Sequence, residues 1–290
     1  MRNETFHEPV LVREVVAGLH FDKNARIIDA TVGTGGHALE IAKASVDVLG
    51  IDADRQMLAI AERRLPKNCI LAYGNFRTID EIALRQGWSE VDGILFDLGV
   101  SNLQLTSGLR GFSYTNPEAA LDMRVDASLQ GLTGADLLNA LREDQLGVLF
   151  QKVLSWGESR KIAGEIVRMR ATQKFKTVTD FLNACRVLRG KPGSYPAVLA
   201  FLALRMAVNG ELENLEEALP KAFSLLKKGR RLLVITFHSG EEKIVVGFMR
   251  RLQRERLAKI LTKAPIVPGE EEIRKNSSAR SAKLFILEKT

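Results

Sequence analysis

Three aspartates and a cluster of glycines are the residues of this chain whose types and spacing could do chemistry. The first group reads Asp29-Ala-Thr-Val-Gly33-Thr-Gly35-Gly36-His37-Ala38 and follows a short apolar run. Glycine there lets the backbone bend sharply and approach a ligand, while a following helix presents free N–H groups. A second apolar run ends Gly50-Ile51-Asp52, and an acidic residue at that point can accept both hydroxyls of an adenosine ribose. A third run delivers Asp97 into Leu98-Gly99-Val100-Ser101-Asn102.

Two enzyme classes share the glycines and the acidic partner. Gly33, Gly35 and Ala38 satisfy the relaxed dinucleotide pattern G-x-G-x-x-G/A, so they do not separate a nicotinamide-dependent dehydrogenase from an S-adenosylmethionine methyltransferase. Asp29 tilts the reading. A carboxylate beside the loop meets the ammonium of a methionine moiety and repels a pyrophosphate. A tight turn without a ligand stays open at this level.

Asp97 has a specific use in amine methylation. The amine lone pair of a nucleobase is delocalised into the ring, so hydrogen-bond acceptors on its N–H groups restore nucleophilicity while the methyl group is held in line. Asp97, Ser101 and Asn102 are the candidates for catalysis; a capping carboxylate is the plain alternative for Asp97. The chemistry requires no metal, and the sequence shows no metal-ligand cluster. DNA amino-methyltransferases usually carry Asn/Asp-Pro-Pro-aromatic here, whereas Asp97-Leu98-Gly99-Val100 has neither proline.

The elements that must position these residues are legible as short apolar runs alternating with helical spacing. Arg26–Ala30, Val46–Ile51, Cys69–Ala72 and Val91–Phe96 read as strands, with helices over Gly36–Ala44 and Arg55–Leu65. That rhythm means βαβ units and a parallel sheet, whose carboxyl edge binds ligands. From about Leu132 to Asn209 the patterns are helical. An amphipathic helix over Glu211–Lys228 then ends at Gly229 as a C-cap. Next come a strand Arg231–Phe237, a helix Glu241–Leu261, a weaker strand near Ile260–Ile266, and a last strand Lys283–Leu287. The expected fold is α/β, a Rossmann-like sheet with an inserted all-helical domain: residues 1–107 and 210–290 form the sheet domain and 108–209 the insertion.

The 290 residues, 46% hydrophobic and 27% charged, suit one soluble domain with an insertion. The formal charge of +7 suggests a polyanionic partner. From Lys221 to Lys263 there are twelve Lys/Arg against three Glu, with Arg250, Arg251, Arg254 and Arg256 on one predicted helix. The insertion adds Arg160, Lys161, Arg168, Arg170, Lys174 and Lys176. Two distant cysteines, Cys69 and Cys185, point to a reducing, cytoplasmic setting. The N-terminal segment has no apolar core of a signal peptide, and no stretch approaches the roughly 20 apolar residues of a membrane span.

The string Asp97–Asp126 (DLGVSNLQLTSGLRGFSYTNPEAALDMRVD) resembles the signature of the ribosomal RNA small subunit methyltransferase H family, as do HEPVLVREVV, IDATVGTGGHALEIA, GIDAD, FHSGEEKIV and NSSARSAKL. Six motifs in family order span His7 to Leu284. The resemblance implies a class I S-adenosylmethionine-dependent methyltransferase that makes N4-methylcytidine in the decoding region of small-subunit rRNA. By motif position it implies cofactor contacts from Gly35, Gly36, His37, Asp52, Phe76, Asp97 and Gln104, beside Asp29 and Gly33 of the loop. The implied partner is rRNA within an assembled or late-assembling small subunit, with a homodimer as an open option. The alternative is an amino-methyltransferase acting on another RNA or on DNA. A binding-only assembly factor with a silent site is also open.

Arg110, Phe112, Tyr114 and Arg124 follow the Asp97 strand and are candidates to grip an unstacked base, with His238 as a further substrate contact. The departures from the family pattern fall mostly on that side. Tyr195-Pro196-Ala197-Val198-Leu199-Ala200-Phe201 stands where the family tends to have His-Pro-Ala-Thr-Arg-x-Phe. Ser101-Asn102 replaces Ser-Ser, Val125 replaces Met, and Gly240 replaces Leu.

Overall fold

The apolar runs of the sequence become the strands of one sheet. The structure is a computed structural model describing residues 9–99, 104, 110–189 and 196–290. Its strands are β1 (Arg26–Asp29), β2 (Asp47–Asp52), β3 (Cys69–Tyr73), β4 (Val91–Asp97), β5 (Leu226–Thr236), β6 (Ala258–Ile260) and β7 (Lys283–Lys289). They lie in the order β3-β2-β1-β4-β5-β7-β6. The first five pair in parallel, and β7 runs antiparallel between β5 and β6. This is the class I methyltransferase sheet. β4 is buried along six of its seven residues, as a central strand covered on both faces must be.

Parallel pairing places Asp29, Asp52 and Asp97 at the same edge, because each ends a strand running in the same direction. The helices α1 (Val12–Leu19), α2 (Gly36–Ala42), α3 (Arg55–Arg64) and α4 (Ile79–Arg85) belong to this part of the chain. Two apolar clusters form the core. One includes Phe96, Leu215, Val234, Val245 and Phe248; the other includes Ile27, Ile41, Leu95, Leu233 and Ile286.

The chain divides into two compact units, Met1–Ser101 with Leu212–Thr290, and Asn102–Glu211. The second unit carries the helices α5 (Gly134–Ala140), α6 (Glu143–Gln151), α7 (Trp156–Arg170), α8 (Val178–Cys185) and α9 (Pro196–Asn209). Thr133, Ser155 and Thr177 start three of them with capping boxes. Phe150, Phe181 and Phe201 pack in series at its centre, with ring centroids 6.1 and 4.9 Å apart.

Two sequence expectations need correcting. The helix expected over Glu211–Lys228 is α10 (Glu211–Leu225), and Gly229 is not its cap but lies inside β5 with φ 76°. The register of β5 on β4 jumps from Val91↔Leu226 to Gly93↔Arg231. The cause is Asp92, only 5% exposed, which draws Lys227 to 3.0 Å and Arg230 to 3.3 Å. The excursion is built to satisfy a buried charge. The second correction concerns α11 (Ser239–Arg254), which stops short of the expected Leu261. Arg256 turns the chain with φ 58°, so that Ala258–Ile260 can pair with β7.

The glycine loop leans directly on the sheet. The amide of Val32 donates to the carbonyl of Ile51 at 2.9 Å, and its side chain covers Gly50 of β2. A Cβ on Gly50 would stand 2.7 Å from Val32 Cγ2 and 2.9 Å from Leu71 Cδ2. Gly50→Ala is therefore expected to lower stability by about 1–3 kcal/mol through overpacking. It should also weaken cofactor affinity, because the displaced residue belongs to the loop. Denaturant titration and calorimetric binding measure the two effects separately.

Candidate active site

Backbone amides of the loop are tied to the strand-end carboxylates. Gly33 N–H donates to Asp52 Oδ2 at 2.8 Å and Asp54 N–H to Asp52 Oδ1 at 2.8 Å. Thr31 N–H donates to Asp29 Oδ1 at 3.2 Å, while Thr31 Oγ1 accepts from the amide of Asp97 at 2.7 Å. Gly33 and Gly35 take the left-handed conformation, φ 53° and 86°, and Gly35 opens α2 directly. Side chains other than glycine are strained there, which explains two of the glycines in physical terms.

His37 is buried. Its Nε2 lies 2.8 Å from the carbonyl of Val10, and Nδ1 stands 3.5 Å from Asp97 Oδ2. A carbonyl only accepts, so Nε2 carries the hydrogen and Nδ1 faces the carboxylate. Burial lowers the basicity of the ring, offset in part by Asp29.

The electrostatics of this edge are unusual for carboxylates. Burial pushes Asp29 up to about 7, with Asp97 and Asp52 adding to the shift against His37 and the Thr31 hydrogen bond. Burial likewise raises Asp97 to about 7, with Glu241 as a like charge, and Asp52 to about 6. Asp97 Oδ1 is buried, and no group among the described residues donates to it. An orphaned carboxylate oxygen beside two further acids suits a cation and repels an anion. The same geometry disfavours a pyrophosphate, and with it the dinucleotide alternative.

Phe76 sits in a 3-10 turn, Phe76–Thr78, whose start is capped by Asn75. Its ring is half-buried and meets Phe96 edge-on at 5.6 Å. The plain reading as packing is thus part of its role, with one side left toward solvent. Gln104 is buried in the second unit. Ser101 and Asn102 lie outside the described residues.

Glu241 and Thr236 were not flagged by the motifs. Glu241 is 3% exposed, and its Oε2 accepts from the amides of Phe237 and His238 at 2.7 and 3.3 Å. Thr236 ends β5 with its Oγ1 buried and unpartnered among the described residues. The signal for Glu241 was its spacing, three residues after His238, as in a capping box.

Several expected substrate residues are otherwise engaged. His238 caps α11, with Nδ1 accepting from Glu241 N–H at 3.3 Å. Its Nε2 lies 3.2 Å from Glu241 Oε1 but off the line of a hydrogen bond. In the second unit, Arg124 grips Asp122 with two bonds at 2.7 and 2.9 Å and holds the Asp122 carboxyl below its ordinary range. Arg110 donates to the carbonyl of Val125 at 2.6 Å and lies over the Phe112 ring. Phe112 is 6% exposed, which leaves no face for a base. These three hold the Arg110–Asp126 segment in shape. Tyr114 is 37% exposed and edge-on to Phe201.

The sequence profile of the MraW methylase family matches residues 4–290. A ribosomal RNA small subunit methyltransferase H from Carboxydothermus hydrogenoformans is 38% identical over 99% of this chain and 98% of its own. The protein of the same name from Chlamydia caviae is 39% identical over the full length of both. Among solved structures, a putative methyltransferase from Streptococcus mutans in complex with SAH aligns with TM-score 0.47 and 14% identity, covering 96% and 97% of the two chains.

The raised carboxylates set a pH dependence with a definite sign. A group whose folded pKa lies above its unfolded value stabilises at low pH and loses that stability as pH rises through the folded pKa. For Asp29, Asp52 and Asp97 the window runs from 3.8 up to about 7. The melting temperature of the cofactor-free protein should fall as pH rises from about 5 to about 8, and Asp97→Asn should flatten part of that slope. Affinity for S-adenosylmethionine should rise over the same window with release of protons. Calorimetry in two buffers of different ionisation enthalpy measures that release, and its absence would remove the cation argument.

Proposed function

This chain belongs to the MraW methylase family and is an S-adenosylmethionine-dependent methyltransferase, and on that footing we propose that it makes N4-methylcytidine in the decoding region of small-subunit rRNA. The observation that carries the reading is Asp97: a half-buried carboxylate at the end of the central strand, its Oδ1 buried and without a donor among the described residues. When bound, S-adenosylmethionine supplies a methyl group on a positively charged sulfur. Asp29, Asp52 and Asp97 would compensate that charge, with Gly33, Gly35, Gly36 and His37 shaping the loop against the cofactor. Phe76 and Gln104 complete the proposed contacts.

Asp97 has the properties the amine requires. Its carboxylate accepts the N–H of cytosine and draws electron density back onto N4. The nitrogen must shed a proton once it carries the methyl group, and a base whose pKa lies at about 7 accepts it at neutral pH. His37 Nδ1 stands 3.5 Å from Oδ2, and Oδ1 is the oxygen without a donor among the described residues. Ser101 and Asn102 are proposed to assist from the loop that follows.

The substrate class follows from the relatives' name and is supported by the chain's charge. The helical unit, residues 102–211, is proposed to recognise rRNA in an assembled or late-assembling subunit, in the cytoplasm, with dimerisation open. No described helix is long and apolar enough to cross a membrane. Within α9, Val198 and Leu199 are each 43% exposed where the family tends to carry Thr and Arg. Two apolar side chains on the surface change what that face can contact, and they are where a different RNA target would be encoded.

Nucleoside mass spectrometry of small-subunit rRNA, after incubation of unmethylated subunits with protein and S-adenosylmethionine, tests the proposal. Wild type should produce N4-methylcytidine, and Asp97→Ala should reduce the rate by roughly 10²–10⁴. An unmodified cytidine despite measurable cofactor binding would move the assignment to another RNA or to DNA.

A further inference from the structure

The helix α11 departs from the same edge of the sheet that carries Asp97, because β5 pairs with β4 there (Asp97↔Ile235) and α11 follows β5 within three residues. Its outer face is basic. Lys243, Arg250, Arg251 and Arg254 are exposed, followed by Arg256 and Lys259. None of the six forms an ion pair among the described residues. Lys243, Gly247, Arg250 and Arg254 recur at spacings of four, three and four, so they share one stripe about 16 Å long.

A groove of about 500 Å³ runs beside that stripe, between α10 and α11. Ile244 is its partly exposed apolar lining, backed by the buried Leu219 and Phe248, with Lys243 and Arg251 on one side and Glu216 on the other. The Arg251 guanidinium lies 5.4 Å from the centre of the Phe248 ring. Gly247 stands at the mouth, exposed, and a Cβ added there would meet nothing within 4 Å. Glycine in the middle of a helix weakens it, and no packing neighbour here requires one. What a bare backbone at this position gains is close approach from outside.

We propose that the groove between α10 and α11 holds a nucleotide of the substrate RNA flanking the target base. The base lies against Ile244, its phosphates face Lys243 and Arg251, and Glu216 accepts N–H groups of the base edge. The adjoining stripe follows the backbone as it leaves the catalytic edge, with Gly247 about 14 Å from His238 along the helix. An acidic protein segment would suit the cations but leave Glu216 without a donor, whereas a nucleotide brings both phosphates and base N–H groups, so RNA is the better match. This site rests on the proposed action on small-subunit rRNA, and it lies in a different part of the unit from the carboxylates.

The space at Gly247 provides a clean test. Gly247→Leu fills the groove mouth while removing a mid-helix glycine, so its unfolding midpoint should equal or exceed that of wild type. Its KM for unmethylated small subunits should nevertheless rise about tenfold, with affinity for S-adenosylmethionine as wild type. Lys243→Gln with Arg251→Gln should reduce the salt dependence of RNA binding by about 0.7 in log–log slope per lost phosphate contact. Ultraviolet cross-linking to the subunit should attach a nucleotide within residues 243–251. Wild-type methylation with all variants matching it, or cross-links from this peptide to a ribosomal protein instead of RNA, would overturn the groove and leave the function standing. Failure of wild type to bind or methylate the subunit would overturn both.

Discussion

Three carboxylates drawn out of solvent together at one edge of a sheet, Asp29 fully and Asp52 and Asp97 in large part, impose the constraint on which this site depends. Each is costly to ionise out of water, and each makes its neighbours costlier. The chain offsets the cost with backbone amides: Thr31 for Asp29, and Gly33 and Asp54 for Asp52. Those donors come from the loop itself, so the shape of the loop and the charge of the edge are one arrangement. Asp97 receives no such donor on Oδ1. It is the acid left without a donor there, and its pKa of about 7 follows from burial and the like charge of Glu241.

The sheet makes the arrangement possible and the surrounding elements hold it. β1, β2 and β4 are parallel neighbours, so their terminal aspartates converge without any long-range side-chain contact. Thr31 then binds the amide of Asp97, which fixes the end of β4 to the loop after β1. Glu241 fixes the start of α11 by accepting two amides, and its charge reaches Asp97. A single buried glutamate therefore serves as a helix cap and as part of the field on the reacting carboxylate.

Much of this was legible in the sequence because strand ends are written locally. An apolar run that stops at Asp29, Asp52 or Asp97 gives both the strand and the side chain at its carboxyl end. What escaped was set by partners far away in the chain. Gly229 has the composition of a helix cap, yet the buried charge of Asp92, 137 residues earlier, pulls its neighbours into β5. Phe112 and Arg124 have the chemistry of base-binding residues. In the structure Phe112 packs with Arg110 and Arg124 pairs with Asp122, and no local pattern announces either. The motif places His37 beside the cofactor, and only its contact with the Val10 carbonyl reveals which nitrogen faces Asp97.

The same distinction separates the two basic regions that composition treats alike. In the helical unit the arginines are largely occupied: Arg168 by Glu165, Arg170 by the carbonyls of Leu138 and Leu141, and Arg160 over the ring of Trp156. Their charge shapes the unit before it can attract anything. On α11 the cations form no ion pair among the described residues, so their field extends into solvent. A polyanion responds to that unbalanced field rather than to the count of basic residues. The net charge of +7 thus understates how unevenly attraction is distributed. The stretch from Lys243 to Lys259, with six basic residues against one glutamate, is one such concentration.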